Sequence, residues 1–297
     1  MTIGIASMGY MGIRREESFA SGGAVTGFQP IISESIVQTK NYFYPSQIMN
    51  SRQQQGGRLM NELANGSVSF YITPQNLTEW WRCGIGGAAS PYSPLGVTQL
   101  DSMVLNIDRI TSDLYVSGAK LTTMEFSSSN GDALICTVGI EAAGFSSGDV
   151  AASSFNSSDD PYMHSESVFN VGGVADSEIT AFSISVNNNN IVDLFTGNRL
   201  TRREIPNTNT TVTGSITRLF TNNAARNLFL ANTQTSFDVT FTRASRSFKI
   251  DCAKINMEAH DTPLSGFGSP IMETIPFTAQ IDDVSADKVI ELTVDTT

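Results

Sequence analysis

The sequence predicts a mainly all-β protein made of two tandem sandwich-like or barrel-like domains, each flanked by one short α-helix. Short segments with alternating apolar and polar side chains recur along the chain, bounded by Gly, Asn, Asp or Ser. Only two segments have helical spacing. The order of strands and helix in the first half also recurs in the second half, which predicts an internal duplication.

The alternation is clearest around residue 70, where Val68, Phe70 and Ile72 alternate with polar neighbours. A strand with one buried face needs this period of two. Other segments of strand length are rich in β-branched and aromatic residues: 104–107, 114–116, 121–126, 134–140, 182–186, 237–241 and 248–250.

Two segments are expected to be helices. The first begins at Thr73-Pro74, an N-cap followed by a proline at the first helical position, and presents Trp80 and Trp81 on one face. The second spans 222–230 and buries Leu228 and Phe229. The tryptophans could form a stacking platform for bases, but the chain offers no basic surround, so we expect core packing.

The duplication rests on collinear matches. Adding 148 maps Ile36 onto Ile184, 66–68 onto 214–216, and Trp80-Trp81 onto Leu228-Phe229. Further on, adding 134 maps Arg109 onto Arg243 and 119–121 onto 253–255. Near the end of the first copy, adding 137 maps residues 137–142 onto 274–279. An insertion in the Gly/Pro/Ala stretch 84–101 explains the first change of spacing.

These matches predict five segments. They are an irregular glycine-rich N-terminal arm outside the core (1–30), a first copy (31–147), a polar linker (148–178), a second copy (179–285) and a C-terminal extension (286–297).

Charge and composition argue against several functions. The net charge is −11, whereas a protein that grips nucleic acid needs an excess of Lys and Arg. Only 16% of the residues are charged, so the surface is built largely from small polar groups that are easily desolvated against copies of the chain. The three cysteines, Cys83, Cys136 and Cys252, form no CxxC pair, so neither a disulfide framework nor a zinc site is expected.

Little in the sequence indicates catalysis. The two histidines, His164 and His260, lie in predicted loop regions, and no Walker or HExxH motif occurs. His260 with Asp261 and Glu258 could bind a metal, although a loop histidine is more often solvated. We therefore expect no enzyme, no cofactor and no metal. No signal peptide or membrane-spanning run is expected either.

The arm residues 9–13 and Glu16-Glu17, the pairs Gly66-Ser67 and Gly214-Ser215, Ala119-Lys120 and the Asn run 187–190 follow one another in an order that resembles the tail tube proteins of long-tailed, siphovirus-type phages, specifically the larger two-copy type. The resemblance covers about residues 9–282.

The resemblance implies a structural virion protein that forms stacked rings. Three two-copy chains would complete a pseudo-sixfold ring around a channel that encloses the tape-measure protein and passes phage DNA without sequence-specific contacts. It implies synthesis in the host cytoplasm, residence in the virion tail, and no membrane partner.

Two sets of site residues follow as hypotheses. The matched segments 39–65 and 187–213, expected to be irregular, would bridge adjacent rings with the arm; their candidates are Arg52, Gln53, Gln54, Arg58, Arg199, Arg202, Arg203 and Glu204. The channel would be lined by Ser33, Ser35, Ser183, Ser185 and Asn187, although the same alternation also suits a solvated outer face.

An alternative function is a two-domain β-sandwich binding module, for carbohydrate or a receptor, from a tail tip or capsid surface. Such a module would expose aromatic side chains on a groove. Most aromatic residues here alternate within predicted strands, which favours core packing.

Overall fold

The computed structural model describes residues 9–46, 53–54, 56–75, 78–110, 112–148, 155, 160–264, 266–281 and 288–295. The protein is all-β, with antiparallel strands and two short helices. The strands of the first half are β1 (Tyr10–Arg15), β2 (Gly27–Gln29), β3 (Ser33–Glu34), β4 (Val37–Phe43), β5 (Arg58–Tyr71), β6 (Met103–Asp108), β7 (Asp113–Ser129), β8 (Ile135–Ala142) and β9 (Gly144–Ser146).

Those of the second half are β10 (Ser167–Val171), β11 (Val174–Ala175), β12 (Ile179–Asn187), β13 (Thr211–Leu219), β14 (Thr235–Arg243), β15 (Arg246–Met257), β16 (Met272–Ala279) and β17 (Glu291–Asp295). The helices are α1 (Glu79–Gly84) and α2 (Ala224–Leu230), and a 3-10 turn covers His164–Glu166.

Eight strand positions form one continuous antiparallel path, which we call the central sheet. Its order is β3/β4, β5, β8, β7, β12, β13, β16 and the end of β15. The pairing of β7 with β12, from Thr123–Asn187 to Ser129–Ala181, joins the two halves of the chain. The central sheet therefore runs through both halves without interruption.

Two smaller groups of strands lie outside this path. In the first half β2, β1, β6, the first part of β7 and β9 are neighbours, and in the second half β11, β10, β14, the first part of β15 and β17 are neighbours. Strand β7 changes partners next to Gly118, whose positive φ of 64° suits a residue without a Cβ.

The tryptophans belong to the core, as predicted. Trp80 and Trp81 are fully buried; Trp80 stacks on Phe70, and Trp81 lies 5.3 Å, ring centre to ring centre, from Phe248 of the second half. The predicted start of this helix was wrong, because α1 begins at Glu79 and Thr73 precedes it by six positions. Helix α1 therefore sits where the two halves meet.

Helix α2 is less covered than predicted. It begins at Ala224, and of its residues only Ala225 is buried, while Leu228 and Phe229 are half-buried and Leu230 is 65% exposed. The tryptophans at the matching positions of α1 are covered by the other half of the chain, whereas the described residues place nothing comparable over α2.

The N-terminal segment is more ordered than its glycine content suggests. Strand β1 pairs with β6, and its Met11 and Ile13 are core residues, so the expectation of an irregular arm outside the core was wrong for β1, whereas 16–26 have no regular structure, as expected. The Glu16 carboxylate anchors the following turn by accepting bonds from the amides of Ala20, Gly22 and Gly118. These bonds hold the glycine-rich turn against β7.

The segment 39–65 is also more regular than predicted. Most of its described residues lie in β4 and β5, which pair in register from Val37–Asn65 to Phe43–Arg58 with one bulge. Its matched segment, 187–213, is mostly without regular structure, as expected, and only its last residues enter β13. The predicted linker 148–178 similarly contains β10 and β11.

Trp81→Ala is expected to lower the free energy of unfolding by about 3–5 kcal/mol, because it opens a large cavity between Phe126 and Phe248. Chemical denaturation followed by circular dichroism measures this change. Leu230→Ala, at an exposed position of α2, is the control and should alter stability by less than about 1 kcal/mol. Equal effects of the two substitutions would contradict the described packing.

Candidate assembly surfaces

One face of the central sheet is polar across all eight strand positions. The register aligns a row of side chains that alternate with the buried ones: Ser33, Ser69, Thr137, Glu125, Ser185, Thr213, Thr278 and Asn256. Hydroxyl pairs tie neighbouring strands together on this face, at 3.0 Å between Ser35 and Ser67 and at 3.1 Å between Ser183 and Ser215.

The opposite face of the sheet is the core. Phe126, Ile184 and Val186 are fully buried on it. Alternation along each strand thus gives the sheet a polar, solvent-exposed face, which we call the wet face, and a buried apolar face, which we call the dry face. The structure brings the five predicted channel residues together on the wet face: Ser33, Ser35, Ser183, Ser185 and Asn187.

Among the described residues, the central sheet has two open edges. The first edge is the outer side of residues 34–39, in β3 and β4, which are paired only with β5 among the described residues. The second edge is the outer side of 259–264, which continues β15 and is bridged to β16 between Asp261 and Thr274. Unpaired strand edges add further strands readily, so these edges are candidate assembly surfaces.

The long segment between β12 and β13 packs onto the first half of the chain. The Asn188 amide group donates to the carbonyls of Gly84 and Leu121, at 2.9 and 3.0 Å, and is buried. The guanidinium of Arg202 donates to the carbonyl of Ala142 and pairs with Glu141.

Arg202 was therefore wrongly included among the candidates for contacts between rings, because its side chain is 3% exposed and is used within the chain. Arg199, Arg203 and Glu204 of the same segment are exposed, as are Gln53, Gln54 and Arg58 in the β4–β5 hairpin region. Arg52 lies outside the described residues.

The histidines occupy structural positions. His164 is buried and lies 3.2 Å from the Ser128 hydroxyl. His260 contacts the Glu273 carboxylate, which also accepts a bond of 2.7 Å from Arg218. Glu258 accepts a bond from the Thr278 hydroxyl. Within the described residues, no group of three His, Cys, Asp or Glu side chains could hold a metal ion.

Sequence reasoning missed the polar contacts between the two halves and an ion-paired cluster within the second half. The run of four asparagines gives no sequence signal for its partners, because Asn188 bonds to the carbonyls of Gly84 and Leu121, which are distant in sequence. The ion-paired cluster of Arg218, Asp176 and Glu273 gave no local signal, because its members lie on different strands and turns.

The fold and its edges define a β-protein suited to lateral assembly, and the comparison with known families identifies the class. A family model described as phage tail tube protein matches residues 6–279. The chain therefore belongs to the phage tail tube protein family. No curated protein matches the chain. Neither helix in the described part of the chain has the length and apolarity that a bilayer crossing requires.

The three cysteines are expected to be inert in the folded protein. Burial raises the pKa of Cys252 to about 12 and raises the pKa of Cys83 and Cys136 as well, so almost no thiolate forms at pH 8. Iodoacetamide at pH 8 should leave the native protein unlabelled and modify three thiols in denaturant, as counted by mass spectrometry. Rapid labelling of any one in native protein would contradict its burial.

Proposed function

We propose that three copies of this chain close into a ring and that stacked rings form the tube of a siphovirus-type tail. The observation that carries the proposal is the central sheet, which has an open edge at each end and a polar face along its whole width. Head-to-tail pairing of such edges closes a ring if the rotation between chains is suitable.

Strand registers support the view that the chain contains two copies of one unit. Val68 lies opposite Val138 as Ile216 lies opposite Ile275, and both pairs are related by the spacings found in the sequence. The pair Leu105–Val116 corresponds in the same way to Val239–Ile250. Unrelated halves have no reason to share the register of several strand pairs.

The correspondence extends beyond the predicted boundaries. Strand β10 pairs with β14 as β1 pairs with β6, so residues assigned to the linker match residues assigned to the arm. Strand β17 pairs with β15 opposite Ile250, as β9 pairs with β7 opposite Val116. We therefore propose copies of about 9–146 and 163–295, wider than the copies 31–147 and 179–285.

The strand count gives the proposed channel its size. Eight strand positions in each of three chains make a closed barrel of 24 strands. Barrels with about 16–22 strands already enclose a water-filled or plugged lumen, whereas eight-stranded ones are filled by side chains. The polar face would then line the lumen, and the dry face would pack on the outer strands.

The chemistry of that face suits passage of DNA. Its hydroxyl and amide groups are uncharged, and its charged members include Glu125, Glu258 and Asp261. Carboxylates repel phosphates, so the wall would guide DNA without holding it. The proposed lumen contents are the tape-measure protein during assembly and DNA during ejection, and the proposed role involves no catalysis.

Stacking of rings is assigned to the β4–β5 hairpin and the exposed residues of 187–213. The hairpin carries exposed Tyr42, Phe43 and Tyr44 on a strand with no cover among the described residues. Exposed aromatic side chains could also favour the binding-module alternative. The equivalent segment of the second half, however, packs on a neighbouring unit, so we assign these aromatics to assembly.

The test of this function is assembly of the purified chain. Negative-stain micrographs should show rings or tubes with six lobes around a central channel, and light scattering of isolated rings should give three times 32.0 kDa. A stable monomer at high concentration that binds glycans would support the binding module instead. Six chains per ring would contradict the proposed ring of three chains.

A further inference from the structure

The pairing of β7 with β12, which we call the internal joint, is a template for pairing between the two open edges of neighbouring chains. In the internal joint, residues 181–187 of β12 add to the outer side of 123–129 in β7. The amide of Asn130 donates to the carbonyl of Thr180, and the amide of Asn188 donates to the carbonyl of Thr122. These two bonds show which residue pairs along β7 and β12 are directly hydrogen-bonded and which are not. Ile184 and Phe126 therefore form a hydrogen-bonded pair, whereas Ser185 and Glu125 form a non-hydrogen-bonded pair.

The first edge corresponds to β12. Glu34 lies opposite Val68 as Phe182 lies opposite Ile216, so residues 34–39 occupy the position of 182–187. The two segments differ in one respect that matters for assembly: β12 is paired with β7, whereas no described strand pairs with the outer side of 34–39.

The second edge corresponds to β7. Glu125 lies opposite Thr137 as Asp261 lies opposite Thr274, and Leu121 lies opposite Ile140 as Met257 lies opposite Phe277. Both strands contain one extra residue between these two pairs. Here the register places Met257, and not Ile255 as the sequence spacing suggested, at the position of Leu121.

We infer that residues 259–264 of one chain add as an antiparallel strand to residues 34–39 of the next chain, in the register of the internal joint. This inference rests on the proposed ring. It pairs Ile36 with Thr262, Val37 with Asp261 and Thr39 with Ala259, all by correspondence with the β7–β12 pairs.

The second edge presents backbone amide and carbonyl groups to the outer side. The amide and carbonyl of Asp261 bond to Thr274, so by alternation those of His260 and Thr262 face outwards. Pro263 has no amide hydrogen to donate. Its nitrogen faces β16, away from the next chain, so the added strand loses no hydrogen bond there. A proline at 262 would block the joint, and one at 263 does not.

Exposed apolar side chains flank both edges. Ile32 is 44% exposed beside the first edge, and Leu264 is 84% exposed at the second. Leu228 and Phe229 of α2 are half-buried, whereas Trp80 and Trp81 at the matching positions of α1 are covered by the other half of the chain. Apolar surface of this kind marks an interface, and a second copy covers it where the internal joint covers its equivalent.

The first edge is closed in the single chain by an ion pair. The Ile36 amide donates to Glu34 Oε2 at 2.9 Å, and its carbonyl accepts from Arg109 Nη2 at 2.8 Å. Arg109 also holds the Glu34 carboxylate with two bonds of 2.9 Å. The pair therefore satisfies the amide and the carbonyl of Ile36, two of the backbone groups that an added strand would use.

The second half lacks this cover. Phe182 stands at the position of Glu34 and is buried, and Arg243, at the position of Arg109, bonds instead to Glu166 and Asp160. Strand addition at the first edge thus displaces the Glu34–Arg109 pair from Ile36. Charged side chains at exposed edges oppose unwanted pairing, and this pair does so until the correct strand arrives.

Engineered disulfides test the register. Val37→Cys with Asp261→Cys, and separately Thr39→Cys with Ala259→Cys, should join assembled chains on mild oxidation into dimers and trimers on non-reducing gels. Cross-strand pairs without direct backbone bonds have Cα separations of about 4.5 Å, which suit a disulfide. The native cysteines are buried and do not interfere.

The matched control is the internal pair, Ser185→Cys with Glu125→Cys, which should lose two thiols without a change in chain mass on the gel. Val37→Cys with Ala259→Cys, two residues out of register, should cross-link poorly. Rings that form without a link from either designed pair would overturn the inferred joint and leave the proposed function intact. Absence of rings in unmodified protein would overturn both.

The displacement step is tested by Arg109→Ala, which exposes the carbonyl of Ile36. The critical concentration for assembly, measured by sedimentation, should fall relative to unmodified protein. Arg243→Ala removes the equivalent arginine away from the edge and should leave that concentration unchanged. An unchanged or higher value for Arg109→Ala would show that the ion pair does not close the edge.

Discussion

The antiparallel pairing of β7 with β12 is the constraint on which the rest of the structure depends. It fixes the register between the halves and makes one central sheet out of two sets of strands. It also brings Phe248 over Trp81 and places Asn188 where its amide satisfies the carbonyls of Gly84 and Leu121. A slip of one residue would reverse every side chain of β12 between the wet and dry faces, so the apolar core enforces the register.

Differences between the halves are concentrated where one half has a neighbour and the other does not. Phe182 and Glu34 occupy matching positions, yet Phe182 packs in the core, whereas Glu34 accepts a bond from the Ile36 amide at the first edge. Helices α1 and α2 differ in the same way, with tryptophans in the covered helix and Leu228 and Phe229 in the uncovered one. In the proposed ring, the residue type at each of these positions would follow from whether its contact forms within the chain or between chains.

The fold class and much of the strand pattern could be predicted because alternation and internal spacing are local or collinear signals. Val68, Phe70 and Ile72 are buried as the period of two requires. The first helix was placed too early because Thr73-Pro74 is a good start locally, while burial of Trp80 and Trp81 against Phe248 decides where the helix forms. Strands β1 and β10 were missed because glycine and polar residues mask segments whose pairing partners are distant in sequence.

The candidate surfaces were predictable only in part. The four serines and Asn187 of the wet face follow from alternation, and all five lie where the pattern places them. The open edges do not follow from it, because an edge is defined by strands that are absent. Arg202 looked like a surface charge in sequence, and only the approach of 187–213 to β8 shows that it is used internally.

A covalent connection between the two sandwich units changes the kinetics of ring closure. The β7–β12 joint forms at an effective concentration set by the polypeptide, which does not fall on dilution. In the proposed ring only the remaining joints depend on encounters between molecules, half as many as six separate units would need. Closure would therefore respond less steeply to protein concentration, and partly closed arcs would contain fewer free ends.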